Sequence, residues 1–144
     1  MINVVDINKE DIKTIVEIFE KEDLQNISAR INKNYISTRV YLDSEEESHL
    51  YMYIFKDEIV IQSIFITNKR QGIGSKLIKQ CALLGRSKGA NKIRIQSVLT
   101  DEMVSLCKKF NFEQDEYARL LNDKGDYTAS ISTVLKIDSL KDVG

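Results

Sequence analysis

Two glycines separated by one residue mark the part of this sequence with the clearest chemistry. Gly72 and Gly74 lie between an apolar run, residues 59–66, and an amphipathic stretch that begins at Ile73. This order predicts a strand, a glycine turn and a helix. Glycines let the backbone turn sharply, and a helix N-terminus presents free N–H groups and partial positive charge to an anion. The loop therefore predicts a phosphorylated ligand, against the alternative of a plain strand-to-helix turn.

The spacing of these glycines excludes two familiar phosphate loops. A P-loop has four residues between its glycines, followed by Lys and then Ser or Thr, whereas a single residue separates Gly72 from Gly74. The dinucleotide-binding fingerprint needs a third glycine, and Leu77 stands at that position. Neither of these two nucleotide sites is therefore indicated.

Residues 69–76 instead resemble the Gln/Arg-x-x-Gly-x-Gly/Ala loop of the GNAT acetyltransferases. Lys69 takes the position of the family's Gln or Arg, and Gly72 and Gly74 take the two small positions. In that family the loop amides and the helix N-terminus bind the pyrophosphate of coenzyme A. The resemblance implies the same role for Lys69 and for Gln71, Gly72, Ile73, Gly74, Ser75 and Lys76.

The elements that must position this loop also follow the family's order. Apolar residues recur at helical spacing from Ile73 to Leu84, and Gly89 is placed to end that helix in the left-handed conformation. Residues 92–98 predict a strand, so that strand, helix and strand form a crossover between parallel strands. The resemblance implies an α/β (α+β) fold of the GNAT type. Its mixed central sheet would have six to seven strands and flanking helices, with two parallel strands splayed at the cofactor site.

A second motif, over residues 101–112, is similar to the family's N-x-x-A-x-x-F-Y-x-K-x-G-F helix. Lys109 and Phe112 match it. Asn is a mild replacement for the Gly of this motif, because it also tolerates the left-handed conformation at a helix end. The resemblance implies a cofactor contact at the position of the family's Asn. The chain differs from the motif at Thr100, which takes that Asn position, and at Met103, Leu106, Cys107 and Asn111.

The cofactor arm gives a further expectation. In the family the pantetheine of coenzyme A lies between the two parallel strands and hydrogen-bonds to the backbone of the first, as an added strand would. The resemblance therefore implies that Ile64, Phe65 and Ile66 bind the cofactor through their backbone groups, which tolerate any side chain.

Acetyl transfer to an amine needs a neutral amine, a stabilised oxyanion and a protonated or solvated leaving thiolate. Glu58 lies fourteen residues before Gly72, which is the spacing of the general-base Glu in the histone-acetylating branch of the family. The alternative is that Glu58 is a solvated residue of the turn at Lys56 and Asp57. His49, the only histidine, lies in a distant segment and is interpreted as a surface residue at a strand end.

Cys107 stands where the family usually places the Tyr that protonates the coenzyme A thiolate, and a thiol can serve as such an acid. However, Cys107 shares a helical face with Met103 and Phe110, and a buried Cys behaves as a small hydrophobe. The acid is therefore Cys107, water, a tyrosine from elsewhere such as Tyr117 or Tyr127, or absent.

The first half of the chain is predicted to begin with a short strand over residues 1–7 and two helices. Asn8 or Asp6 is placed to cap the first helix, and a second, weaker helix is expected over residues 24–31. The apolar face of the first helix is formed by Ile12, Ile15, Val16 and Phe19.

Strands dominate the rest of the predicted fold. Alternating residues indicate strands over 37–42 and 50–55, which lead through a short turn into the strand over 59–66. Near the end of the chain, residues 117–121 and 127–137 flank a good hairpin turn.

The composition is that of an ordinary soluble domain. With 42% apolar and 30% charged residues, the sequence predicts a single domain over 1–144 with a loose tail at 138–144. No signal region and no run near about 18 apolar residues is present, so we expect a cytoplasmic protein away from membranes. Two cysteines without metal-ligand spacing predict reduced thiols and no metal site. A net charge of −1 disfavours nucleic acid as a partner.

Together these observations predict an acetyl-coenzyme A-dependent N-acetyltransferase whose acceptor, a primary amine of a small molecule or protein, attacks directly in a ternary complex. A monomer or homodimer is expected. The alternatives are a non-catalytic acyl-coenzyme A-binding GNAT domain, acting as a sensor or interaction module, and an unrelated module that holds another phosphate. A cationic acceptor would be attracted by an acidic turn, unless that turn is only a solvated loop. The acidic residues of the turn are Asp43, Glu45, Glu46 and Glu47.

Overall fold

The computed structural model describes residues 5–22, 26–67, 72–96, 101–114 and 133–136. These ranges contain both helices and strands, as in a mixed α+β protein. In chain order the elements are α1 (Lys13–Lys21), β1 (Ile27–Lys33), β2 (Thr38–Ser44), β3 (His49–Phe55), β4 (Glu58–Phe65), α2 (Ile73–Ser87), β5 (Lys92–Ile95), α3 (Asp101–Lys109), β6 (Glu113–Gln114) and β7 (Thr133–Lys136).

The strands pair in the order β1-β2-β3-β4-β5-β7-β6. β4 and β5 are parallel, and the other neighbouring strands are antiparallel. Parallel neighbours need a crossover connection, and α2 supplies it between β4 and β5. The predicted mixed sheet with flanking helices, and the parallel strands around the glycine turn, are confirmed.

The hydrophobic core lies between the sheet and the helices. Ile59 of β4 and Ile93 of β5 are fully buried, as is Cys81 of α2, whose sulfur lies 3.8 Å from that of Met52 in β3. α1 packs against α2 through an apolar face that includes Phe19. The helical periodicity of the sequence thus turns one side of each helix toward the sheet. None of the described helices is long and apolar enough to cross a bilayer.

Two helix ends follow the local signals in the sequence. Gly89 has φ +93° and donates its N–H to Arg86 O, while Ala90 N–H bonds to Gly85 O at 2.8 Å. This pair of bonds is a Schellman motif, so the predicted end of α2 is confirmed. Asn111, with φ +62°, closes α3 in the same way, and Phe112 N–H bonds to Cys107 O. Asn therefore takes the left-handed position that was expected of it.

The helix predicted over residues 24–31 is wrong, since β1 begins at Ile27. Burial alternates along this segment, with Ile27 and Ala29 partly covered by the core and Arg30 exposed. Period two indicates a strand, and pairing with β2 outweighs any local helical preference. Residues 24 and 25 lie outside the described residues.

The start of the chain also differs from expectation. Residues 5–7 are not in a strand, and residues 1–4 lie outside the described part. Asn8 does not cap α1, which begins at Lys13 without a side-chain cap. Instead Asn8 and Asp11 close a turn ahead of the helix, each side chain accepting the other's backbone N–H at 2.9–3.0 Å. Asp6 forms an ion pair with Lys33.

The predicted meander of β2, β3 and β4 is confirmed. Phe55 pairs with Glu58 across a two-residue turn, in which Lys56 takes φ +56°. The hairpin expected from residues 117–121 and 127–137 lies mostly outside the described residues, although β7 falls within its second half.

Candidate functional site

The parallel pairing between β4 and β5 ends halfway along β4. They pair from Glu58 to Ile61, and one more bond joins Gln96 N–H to Ile61 O at 2.9 Å. β4 continues to Phe65 with β3 on its other side. Among the described residues, the second half of β4 therefore has no strand on its β5 side.

A β-bulge coincides with this parting. The register between β3 and β4 shifts between Tyr51 and Met52, which leaves Gln62 without a partner and pairs Ser63 with Tyr51. A bulge bends its strand and increases the local twist. β4 is therefore bent at the residue where its pairing with β5 ends. We call the side of β4 beyond this point, which no described strand covers, the cleft.

α2 is the next described element along the chain after β4. Gly72 precedes the helix with φ +94°, and the first helical bond runs from Lys76 N–H to Gly72 O at 3.0 Å. The amides of Ile73, Gly74 and Ser75 consequently have no acceptor within the helix. A Cβ added at Gly72 would meet no described atom within 4 Å.

Gly74 has a second, structural reason to be glycine. A Cβ there would lie 3.0 Å from Leu106 Cδ2 and 3.7 Å from Ile66 Cδ1. The missing side chain thus allows α3 and the end of β4 to approach the first turn of α2. The glycine at position 74 can therefore be explained by packing in a plain strand-to-helix turn as well as by the anion-binding hypothesis.

Lys109, a residue of the second sequence motif, lies beside this helix start. Lys109 of α3 donates from Nζ to Ser75 Oγ at 3.2 Å, and Ser75 is 9% exposed. A cation close to amides that have no acceptor within the helix strengthens an anion site. Lys76, by contrast, has its side chain in an ion pair with Glu22 of the α1 end and its N–H in the helix.

The remaining cofactor residues expected from sequence divide into two groups. Ile64 and Phe65 are half-buried and pair with Leu50 and His49 of β3, which leaves the β5 side of their backbone facing the cleft. Ile66 follows them directly. Outside the described residues lie Lys69, Gln71 and Thr100.

Glu58 is largely buried and forms an ion pair. Its carboxylate accepts from Arg94 Nε and from the terminal nitrogen Nη2, both at 3.0 Å, and the two side chains are 21% and 22% exposed. It begins β4, at the opposite end from the glycine loop. To accept a proton from an amine, Glu58 has to give up part of this charge-assisted pair.

Both cysteines lie in the core. Burial raises the pKa of the Cys81 thiol to about 12, because the charged thiolate would lose its hydration. Cys107 is 0% exposed and packs in the same apolar cluster as Phe110. Cys107 therefore lies where a small hydrophobic core residue would lie, as the second interpretation of its position expects. No cluster of metal-ligating side chains occurs in the described ranges.

We expect Cys107→Ala to lower the free energy of unfolding by about 1–3 kcal/mol while leaving turnover per folded molecule unchanged, because alanine leaves a small cavity. Cys107→Tyr is expected to overpack the same space and to cost about 1–3 kcal/mol or more. Denaturant unfolding and steady-state rates on both variants test this. A stable but slow alanine variant together with a stable, active tyrosine variant would instead make Cys107 the acid.

The end of the cleft carries polar groups that sequence spacing did not bring together. His49 pairs in register with Phe65, and its Nε2 lies 2.7 Å from Ser63 Oγ. Ser48, which is almost fully buried, donates to Thr67 Oγ1 at 2.7 Å and accepts the Thr67 N–H at 2.8 Å. The acidic turn before β3 is thus fastened to the residue at which β4 leads into the glycine loop.

Several solved structures are similar to this chain. The anti-CRISPR protein AcrVA5 is 20% identical with a TM-score of 0.42, covering 76% of this chain and 99% of its own. A probable acetyltransferase of the GNAT family from Chromobacterium violaceum is 6% identical with a TM-score of 0.49, covering 86% and 80%. A protein from Agrobacterium tumefaciens named as an acetyltransferase is 13% identical with a TM-score of 0.46, covering 94% and 96%.

No family profile and no curated protein matches the sequence. Similarity at the level of these solved structures says nothing about substrate or reaction. The function therefore has to follow from the site itself.

Proposed function

We propose that this chain is an acetyltransferase of the GNAT superfamily, which transfers the acetyl group of acetyl-coenzyme A to a primary amine within a ternary complex. The observation that carries the proposal is that β4 stops pairing with β5 at Ile61 and that the next described helix along the chain, α2, begins after Gly72. Parted strands offer backbone groups to an extended arm, and the helix start offers amides to a phosphate.

The two halves of the site suit the two halves of coenzyme A. The amides of Ile73, Gly74 and Ser75, with the Lys109 ammonium close by, would bind the pyrophosphate. Ile64 to Ile66 would bind the pantetheine through the free side of the strand. The roles of Lys69, Gln71 and Thr100 stay predictions from the resemblance, as do the cytoplasmic location and the monomeric or dimeric state.

The acceptor is proposed to be cationic before it reacts. Glu45, Glu46 and Glu47 are exposed on the turn between β2 and β3, and the Ser48 to Thr67 bonds hold this turn at the loop end of β4. Their charges raise the local concentration of an ammonium group. Glu58 is the carboxylate that the sequence spacing assigns as general base, and in this role it would exchange the Arg94 contact for the amine proton.

A calorimetric titration followed by an acceptor screen tests the proposed function. We expect acetyl-coenzyme A to bind, with free nucleotides binding more weakly, and free thiol to appear when polyamines, lysine peptides or aminoglycosides are added. Tight binding without thiol release on any acceptor would identify a non-catalytic acyl-coenzyme A-binding domain. Preference for a free nucleotide over coenzyme A would contradict the proposal outright.

A further inference from the structure

His49 and Ser63 form a hydrogen-bonded pair whose direction is fixed by a third group. His49 Nδ1 lies 3.0 Å from Glu47 O, and a backbone carbonyl can only accept a hydrogen bond. Nδ1 therefore carries the hydrogen of the neutral ring, which leaves a lone pair on Nε2. Ser63 Oγ, 2.7 Å away, donates to it. The serine hydroxyl is thus bonded to an oriented base, the arrangement that activates hydroxyl groups in enzymes.

Aromatic neighbours hold the imidazole in this position. The ring stacks on Tyr51 with centroids 4.7 Å apart, and Phe65 flanks it at 6.3 Å. The charged groups around the pair come from three elements: Asp43 of β2 accepts the Tyr51 hydroxyl and lies 3.7 Å from Arg30 of β1, and Glu47 belongs to the turn before β3. The hydrogen bond to Asp43, with burial as a smaller cause, raises the pKa of Tyr51.

The pair lies where the proposed acyl group would sit. Pairing of β4 with β5 stops at Ile61, and Ser63 is the first residue back in register after the bulge. From Ile66 back to Gln62 the strand covers roughly 13 Å at about 3.3 Å per residue. An arm that runs along this free edge from the helix start ends beside Ser63. His49 and Ser63 are both half-buried, so the pair is partly exposed to solvent.

We propose that Ser63 and His49 relay the proton away from the acceptor amine. This inference rests on the proposed function. The acceptor ammonium first gives one proton to solvent. The neutral amine nitrogen then attacks the thioester carbon, the C–N bond forms, and the C–S bond breaks with its electron pair staying on sulfur. The nitrogen's proton passes to Ser63 Oγ while the serine proton moves to His49 Nε2. The imidazolium then returns one proton through Ser63 to the thiolate, which leaves as free thiol.

The relay and the Glu58 hypothesis differ in the contact that the base loses when it accepts a proton. The Glu58 carboxylate is held by two Arg94 nitrogens, whereas the Nε2 lone pair of His49 is already bonded to a hydroxyl at the cleft. A proton transfer along that bond breaks no ion pair. In this relay Ser63 touches the acceptor, and His49 acts through Ser63 as a positioning and proton-accepting residue.

The test is the pH dependence of turnover in His49→Gln and Ser63→Ala, with acetyl-coenzyme A affinity measured on each. Glutamine keeps a hydrogen-bonding side chain but accepts no proton, so we expect turnover to fall roughly 10²- to 10⁴-fold and the acid limb of the parent profile to vanish. Cofactor affinity should stay within about twofold of the parent. Ser87→Ala is the matched control, because Ser87 Oγ makes a 2.7 Å bond at the far end of α2.

Four results would overturn the relay. They are parent-like rates with a surviving acid limb in His49→Gln, loss of that limb in Glu58→Gln instead, a rate loss that only follows lost folding or cofactor binding, and an acetyl group on Ser63 detected by mass spectrometry. In the first three the parent is active by direct transfer, so the proposed function stands while the relay fails. An acetylated Ser63 would also overturn direct transfer within a ternary complex. A parent that releases no thiol on any acceptor would overturn both.

Discussion

Gly72→Asp is expected to weaken acetyl-coenzyme A binding roughly 10²- to 10³-fold, whereas Gly72→Asn is expected to keep most of the affinity. The two side chains have the same shape and differ in charge. Asparagine and aspartate both tolerate positive φ better than other residues with a side chain, and a Cβ at Gly72 would meet no described atom within 4 Å. A carboxylate about 4 Å from a phosphate costs about 4 kcal/mol at an effective dielectric constant near 20.

Isothermal calorimetry on the two variants measures this difference directly. Its dependence on salt gives a second check, because screening weakens the repulsion between exposed charges. Equal affinities for the aspartate and asparagine variants would place the phosphate away from the start of α2. Gly74 is the poorer position for this experiment, because its Cβ would point at Leu106 and Ile66 and would disturb packing at the same time.

Gly85→Val is expected to lower the free energy of unfolding by about 3 kcal/mol. Gly85 lies on the buried side of α2, and a Cβ there would come within 2.7 Å of Ile59 Cγ2 and 3.1 Å of Ile59 Cβ. Ile59 is fully buried in β4, and its branched side chain has little rotamer freedom with which to move aside. The better helix propensity of valine over glycine offsets only part of the clash.

Denaturant unfolding of a double-mutant cycle isolates this contact. Ile59→Ala removes the atom in the way, so Gly85→Val should cost much less in that background than in the parent, although Ile59→Ala alone costs about 2–5 kcal/mol. Strictly additive costs would show that the helix shifts freely over the sheet and that Gly85 does not set their separation.

Local signals were enough to predict much of this fold. The two left-handed helix ends at Gly89 and Asn111 are confirmed because each is decided by one residue and its neighbours in the chain. The strand at Ile27 was missed because its alternation is short and only its pairing with β2 makes it a strand. The same holds for Gly74, whose packing partner Leu106 is remote in sequence.

In the candidate site, too, the features set by neighbouring residues could be predicted, and the contacts between distant residues could not. The glycine turn and the free helix start follow from the sequence, whereas the Arg94 partner of Glu58 lies 36 residues away and could not be found by spacing. His49 was set aside as distant, yet the two-residue turn after Phe55 fixes the register that returns β4 alongside β3. Counting back along that hairpin would have placed His49 beside the end of β4, and the bulge then sets its exact partner, Phe65.

The short parallel pairing between β4 and β5 also bears on how this protein responds to its surroundings. Four residue pairs join the two strands at one end, and no described strand lies beside β4 beyond them. In the proposed function the cofactor would complete this edge. A ligand that binds the folded chain alone adds about 2.7 kcal/mol to its stability at a hundred times its dissociation constant. The resistance of the sheet to unfolding and proteolysis would then rise and fall with the supply of the acyl donor.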